Sequence, residues 1–176
     1  MKKLSLSSKS IAYIALLTAI SVVLNIYSIP LMDNALKLSF TYLICFVAGA
    51  FFGPLAGFLV GGLGDLIGFI IAPLGAWLPL VTLSSALIGF IPGIIFKYFR
   101  MRPILKIVVS FVLVYVVCTM FLNTFAIYLV ILETTSRTFW GFLWFRLPLQ
   151  SAIFAINFAA AIVLYYPLQK TLFAKF

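Results

Sequence analysis

The segment Gly61-Gly62-Leu63-Gly64-Asp65-Leu66-Ile67-Gly68 decides how this chain folds. It sits in the run from Leu38 to Phe96, flanked by Lys37 and Lys97, in which Asp65 is the only formally charged side chain. A carboxylate in so apolar a run belongs inside a membrane, where burying a charge is expensive unless a partner or a water-lined cavity receives it, and that makes Asp65 a candidate functional group. All of the chain's 11 glycines except Gly141 fall in the same run, so the helices carrying Asp65 can approach each other or a ligand closely.

Composition agrees. The 176 residues are 65% hydrophobic and 9% charged, with a mean hydropathy of +1.27. Soluble domains average roughly 45–50% apolar and about 25% charged, so the chain reads as an all-α integral membrane protein. A span takes about 20 residues, which leaves room for a bundle of six helices and no soluble part, a single membrane domain over 1–176. The net charge of +9 does not imply a nucleic-acid partner, because such binding needs a basic patch on a folded soluble face, and here the cations gather at span ends. Met1-Lys2-Lys3 precedes a run long enough to span and without a small-residue cleavage pattern, so it reads as the start of the first helix rather than a signal peptide. Cys45 and Cys118 fall inside predicted spans and read as small hydrophobes.

Proline, glycine and charge divide the apolar runs. The first helix is expected from about Ile11 to Ile29, closed by Pro30 and the polar loop Met32 to Lys37; the second from Ser39 to Phe52; the third from the tight Gly53-Pro54 turn to Ile71. Short spans of this kind can tilt or stop below the surface. The fourth starts near Trp77 or Pro79 and ends at Lys97, Arg100, Arg102 and Lys106; the fifth runs from Ile104 to Leu132 and the sixth from Phe139 to Tyr166. Lys2, Lys3, Lys9, the Lys97–Lys106 cluster, Lys170 and Lys175 collect on one side, against Lys37 and Arg137 on the other, with Arg146 deeper in. This bias predicts cytoplasmic termini and outer loops around Asp33, Gly75 and Thr134.

With that topology, Asp65, Thr82, Ser84, Asn123 and Arg146 all lie about 8–14 Å below the outer surface, at about 1.5 Å per residue. They form one layer. Arg146, Gln150 and Asn157 recur at i, i+4 and i+11, a polar stripe along one face of helix six. Asp65 and Arg146 either pair with each other as helix glue or read a ligand's polar edge together with Thr82, Asn123 and Gln150, Arg146 being suited to a ligand carboxylate. Thr82, Ser84 and Ser85 can equally bond their own backbone. All 3 tryptophans, Trp77, Trp140 and Trp144, fall on the predicted outer side, either as an interfacial belt or as the aromatic wall of a cavity for a flat heterocycle. On helix one Ala12, Ala15 and Ala19 share a face, for packing within the bundle or for docking another membrane protein.

These motifs together resemble the substrate-binding S-components of energy-coupling factor vitamin transporters. The resemblance rests on six helices, the Ala15-x-x-x-Ala19 pattern, the Phe52-Gly53-Pro54-Leu55-Ala56-Gly57 turn, Gly64-Asp65-Leu66-Ile67-Gly68, and Thr82-Leu83-Ser84 leading to Gly89-Phe90-Ile91-Pro92-Gly93. Arg146 and Gln150 are similar to the helix-six Arg and Gln of the folate branch, whereas Ile88 stands where that branch is often basic. The resemblance implies a high-affinity capture subunit of the bacterial plasma membrane, most similar to those for folate, with Asp65, Trp77, Thr82, Ser84, Asn123, Arg146 and Gln150 at the ligand. Loops around Asp33 and Gly75 would close over the vitamin. It also implies partners: a transmembrane coupling protein that docks on Ala12, Ala15 and Ala19, and two cytoplasmic ATPases that drive a toppling of the S-component. Other heterocyclic vitamins or precursors, such as pantothenate, hydroxymethylpyrimidine or thiamine, use the same architecture, and a structural or assembly protein is the reading of another class. An enzyme is not expected: there is no histidine, no Gly-x-x-x-x-Gly-Lys-Ser/Thr loop and only 3 acidic residues, so no cofactor or metal site is implied.

Overall fold

The computed structural model describes residues 8–31, 36–73, 77–131 and 138–173. In chain order these form α1 (Ser8–Ile26), β1 (Ile29–Leu31), β2 (Leu36–Leu38), α2 (Thr41–Phe52), α3 (Pro54–Ile71), α4 (Pro79–Tyr98), α5 (Pro103–Leu113), a π-helical stretch (Val114–Asn123), α6 (Thr124–Ile131) and α7 (Phe139–Phe173). Since α5, the π-helical stretch and α6 run on as one span, Pro103–Val130, the expected six-helix membrane bundle is found. Proline starts α3, α4 and α5, where its missing N–H has no intrahelical partner to lose.

Among the described residues four segments are long and apolar enough to cross a membrane, Pro54–Ile71, Pro79–Tyr98, Pro103–Val130 and Phe139–Lys170. Helix α2 has 12 residues, about 18 Å of rise against a hydrocarbon core of about 30 Å, so it stops short of one surface.

Three boundaries differ from the sequence expectation. Helix α1 ends at Ile26 rather than Ile29, because Ile29-Pro30-Leu31 pairs antiparallel with Leu36-Lys37-Leu38, in the register Ile29↔Leu38, Pro30↔Lys37, Leu31↔Leu36. Proline is disfavoured in a helix interior by its ring and missing N–H but fits an edge strand, so Pro30 falls in β1. The fifth span is π-helical over 10 residues, and the hydroxyl of Thr124 donates to the carbonyl of Thr119, five residues back, at 3.1 Å. Helix α7 continues through Pro167 to Phe173.

Helix α3 lies between α1 and α4, with α2 against both α3 and α4. The turn from α2 into α3 needs Gly53, whose φ is 98°, a left-handed backbone that residues with a Cβ avoid. The seam between α3 and α4 is backbone against backbone: a Cβ on Gly57 would sit 2.2 Å from the Gly89 carbonyl oxygen, and one on Gly89 2.2 Å from that of Gly57. Towards the end where α4 gives way to α5, the bundle is filled by Leu43, Phe46, Val47, Ile107, Phe111, Ala161 and Tyr165. Edge-on aromatic contacts such as Phe46 on Phe96 and Phe111 on Phe154 interlock them. The hydrogen bonds that join Asn25, Ser39, Asp65, Thr82 and Trp77 to their partners lie towards the other end, that of the β1–β2 hairpin.

Candidate functional site

Asp65 is the third rung of the α3–α4 seam. Gly57 meets Gly89, Gly61 meets the Ser85 carbonyl so closely that an added Cβ would stand 2.1 Å from its oxygen, and one turn further Thr82 donates its hydroxyl to Asp65 Oδ2 at 2.8 Å. The glycines bring the helix axes close enough for these two short side chains to meet. Asp65 Oδ1 accepts from Asn25 Nδ2 of α1 at 3.2 Å. The Trp77 indole N–H donates to Thr82 Oγ1 at 3.2 Å. Three helices and the residue just ahead of α4 are thus joined in one chain, Trp77 to Thr82 to Asp65, with Asn25 arriving from the other side. Asp65, Thr82 and Trp77 were legible in the sequence; Asn25 was not, its only signal being its spacing, with Ser21 and Asn25 one turn apart on the face of α1 opposite the alanines.

The ion pair that Asp65 and Arg146 could have formed is absent. Both oxygens of Asp65 are engaged by neutral donors, and Arg146 lies 2% exposed on α7 with Nε and Nη1 facing no protein acceptor. Its guanidinium stacks over the Phe142 ring, 5.4 Å from the centroid, which lends a cation modest stabilisation but satisfies no N–H. Arg146 is the one buried cation among the described residues. The stripe on α7 is as expected: Arg146 and Asn157 are buried and Gln150 is half-buried. Asn157 donates to the carbonyls of Ser39 and Ile153 at 3.2 and 3.0 Å, leaving its own Oδ1 buried without a partner.

Around them, Asn123 is half-buried with its Oδ1 unpartnered, and Tyr42 of α2 reaches Thr119 of the π-helical stretch, oxygen to oxygen 3.5 Å. Ser39 closes this end: it donates to the Leu24 carbonyl at 3.2 Å and accepts from the Thr41 N–H at the start of α2 at 3.2 Å. Ser84 is fully buried and its hydroxyl is committed to the Cys118 carbonyl at 3.1 Å, tying α4 to the π-helical stretch. Ile88 packs with Cys45, Val114 and Cys118 and lines a small apolar void with Tyr42, Phe46, Pro92, Phe111 and Val114. Of the tryptophans only Trp77 joins the polar chain; Trp140 and Trp144 are 61% and 71% exposed on α7, the posture of an interfacial belt rather than a cavity wall. Ala12, Ala15 and Ala19 are exposed together with Leu16 and Ile20, so the bundle does not use them for its own packing. The loops around Asp33 and Gly75 that were expected to close over a ligand, and the expected outer loop around Thr134, lie outside the described residues.

Helices long and apolar enough to cross a membrane, enclosing buried polar groups without hydrogen-bond partners, define a multi-pass membrane protein. The chain belongs to the family described as ECF-type riboflavin transporter, S component, whose profile matches residues 5–173. It is 27% identical over 112 residues to the folate transporter FolT of Clostridium novyi (strain NT), a stretch that covers 64% of each chain. Its fold is that of the crystal structure of FolT bound with folic acid, at a TM-score of 0.71 and 24% identity over 93% of this chain and 94% of that one. The S component of a bacterial ECF transporter matches at a TM-score of 0.64 and 21% identity, covering 94% and 98%.

Proposed function

We propose that this chain is the vitamin-capture subunit of an energy-coupling factor importer in a bacterial plasma membrane, and that its ligand is folate. The observation that carries the choice of ligand is Arg146. A guanidinium this buried with two unpaired nitrogens calls for an anion in a low-dielectric site, and Asp65, already bonded to Asn25 and Thr82, does not supply it. Folate carries carboxylates on its glutamyl end and a flat pterin at the other. The pterin suits Trp77 and the amide groups of Asn123 and Gln150, which can each donate to and accept from a heterocycle edge. The family description favours a second ligand, riboflavin, a flat heterocycle without a carboxylate.

Titration of the purified protein with folate and with riboflavin, followed by tryptophan fluorescence, separates these readings. Quenching at nanomolar folate with no response to riboflavin is expected. The reverse would install riboflavin, and a folded protein that answers neither would remove the capture function in favour of a structural or assembly role.

The partners follow from family membership and from the free face of α1. We infer that a transmembrane coupling protein docks on Ala12, Ala15 and Ala19, small side chains that allow close helix approach, and that two cytoplasmic ATPases supply the energy. Ala15→Trp and Ala19→Trp are expected to abolish uptake in cells while ligand affinity in the purified protein stays within about twofold, since an exposed bulk blocks docking alone. Loss of binding in these variants would place the alanines in the ligand site's support instead.

A further inference from the structure

Helix α1 meets α3 through small residues that leave no slack. A Cβ on Gly64 would lie 2.2 Å from Ser21 Oγ, and one on Gly68 2.9 Å from Asn25 Cβ, so two glycines one turn apart seat Ser21 and Asn25 on α3. Asn25 is pressed onto Gly68 and its amide extends to Asp65 Oδ1, 3.2 Å away. From there the direction of every bond is fixed by chemistry. The Asn25 amide nitrogen only donates, and the Asp65 carboxylate only accepts. The Thr82 hydroxyl has one proton and gives it to Asp65 at 2.8 Å, so towards Trp77 it can only accept, and the indole N–H can only donate to it, at 3.2 Å.

The chain therefore transmits orientation from a packed helix contact to a ring that is 48% exposed. Without Asn25 the carboxylate keeps one partner instead of two and is free to turn about its own side-chain bonds; the Thr82 hydroxyl follows it, and the indole loses its fixed acceptor.

We propose that Asn25 is a positioning residue for the ligand site: through Asp65 and Thr82 it holds the Trp77 indole in one orientation before a ligand arrives. Its effect on affinity rests on the capture function proposed above; its effect on Trp77 does not.

Trp140→Phe and Trp144→Phe make Trp77 the sole tryptophan of the 3, and its fluorescence anisotropy and acrylamide quenching in unliganded protein then report its freedom directly. In that background Asn25→Ala is expected to lower the anisotropy and raise the quenching. Thr82→Val should do the same, and the double variant should go no further than either single one, because both cut one chain. In folate titrations Asn25→Ala is expected to weaken binding about tenfold, the loss of a pre-ordered contact. The exchange Asn25→Asp with Asp65→Asn keeps an amide donating to a carboxylate and leaves an oxygen for Thr82; it should return Trp77 to wild-type anisotropy, and it decides the matter if Asn25→Ala does not fold. Unchanged anisotropy and quenching in Asn25→Ala, additive effects in the double variant, or a freed indole in the exchange would each overturn the proposal. A wild-type protein that binds no folate, with the fluorescence results as expected, would remove the ligand while leaving Asn25 in this role.

Discussion

Arg146→Met should weaken folate binding by about 2–5 kcal/mol, at least roughly 30-fold, while the unliganded protein unfolds at the wild-type temperature or above it. The two halves of this result have the same origin. Arg146 is 2% exposed and two of its nitrogens meet no protein acceptor, so the free protein holds a charge whose desolvation is offset in part by the Phe142 ring. Exchanging a buried, uncompensated charge for an apolar side chain of similar length is often neutral or stabilising. A ligand carboxylate changes the balance, because a charge-assisted, two-pronged contact forms where water is excluded. Equilibrium titration and thermal unfolding of the same variant check both halves. A variant that unfolds many degrees lower would show that Arg146 holds the bundle together, and one that binds folate like the wild type would take the guanidinium out of the ligand site. Riboflavin, lacking a carboxylate, would show a smaller loss, so the same variant also bears on the choice between ligands.

The fold could be read from the sequence because its punctuation is made of residues with strong backbone preferences. Pro54, Pro79 and Pro103 open helices and Gly53 makes the tight turn, while the apolar runs between them have no soluble alternative. The site was half legible. Asp65 stood out by its cost, and depth arithmetic on straight helices put Thr82 beside it, as the Thr82–Asp65 bond bears out. The same arithmetic suggested Arg146 as its counter-ion, which it is not: a shared depth does not fix which way a side chain turns, and Asn25, one position from the end of α1, supplies the hydrogen bond instead. Positions on the fifth span were harder still. A π-helical stretch over Val114–Asn123 bonds i to i+5 and so carries more residues per turn than an α-helix; the faces of residues along it do not follow a count at 100° per residue. Nothing in that stretch's composition, which contains neither proline nor glycine, announces the change. Ser84's bond to the Cys118 carbonyl, one of the contacts that secure the π-helical stretch, is likewise invisible without the neighbouring backbone.

Gly89→Ala tests whether the seam and the site are one construction. The added Cβ would stand 2.2 Å from the Gly57 oxygen, 2.5 Å from its carbonyl carbon and 2.8 Å from its Cα. All three are backbone atoms with no rotamer to escape into, so the axes of α3 and α4 must separate. Overpacking of this kind costs about 1–3 kcal/mol or more, and the upper end is expected here because Gly49, packed so close to the Gly89 carbonyl that an added Cβ would stand 2.1 Å from its oxygen, must shift as well. The separation is felt at the third rung: Thr82 lies two turns from Gly89 along α4, and Asp65 lies four residues beyond Gly61, whose own contact with Ser85 fixes the spacing between. A 2.8 Å hydrogen bond between side chains as short as threonine and aspartate cannot follow helices that part by an ångström, so ligand affinity should fall together with thermal stability, by about tenfold or more. Gly62→Ala is the control, since its Cβ would meet only the Ala86 methyl at 3.4 Å, an ordinary contact expected to leave both quantities near wild type. A Gly89→Ala protein that melts earlier yet binds with unchanged affinity would separate the seam from the site, and would mean that the Asp65–Thr82 rung is held by Asn25 and α1 rather than by the glycines beneath it.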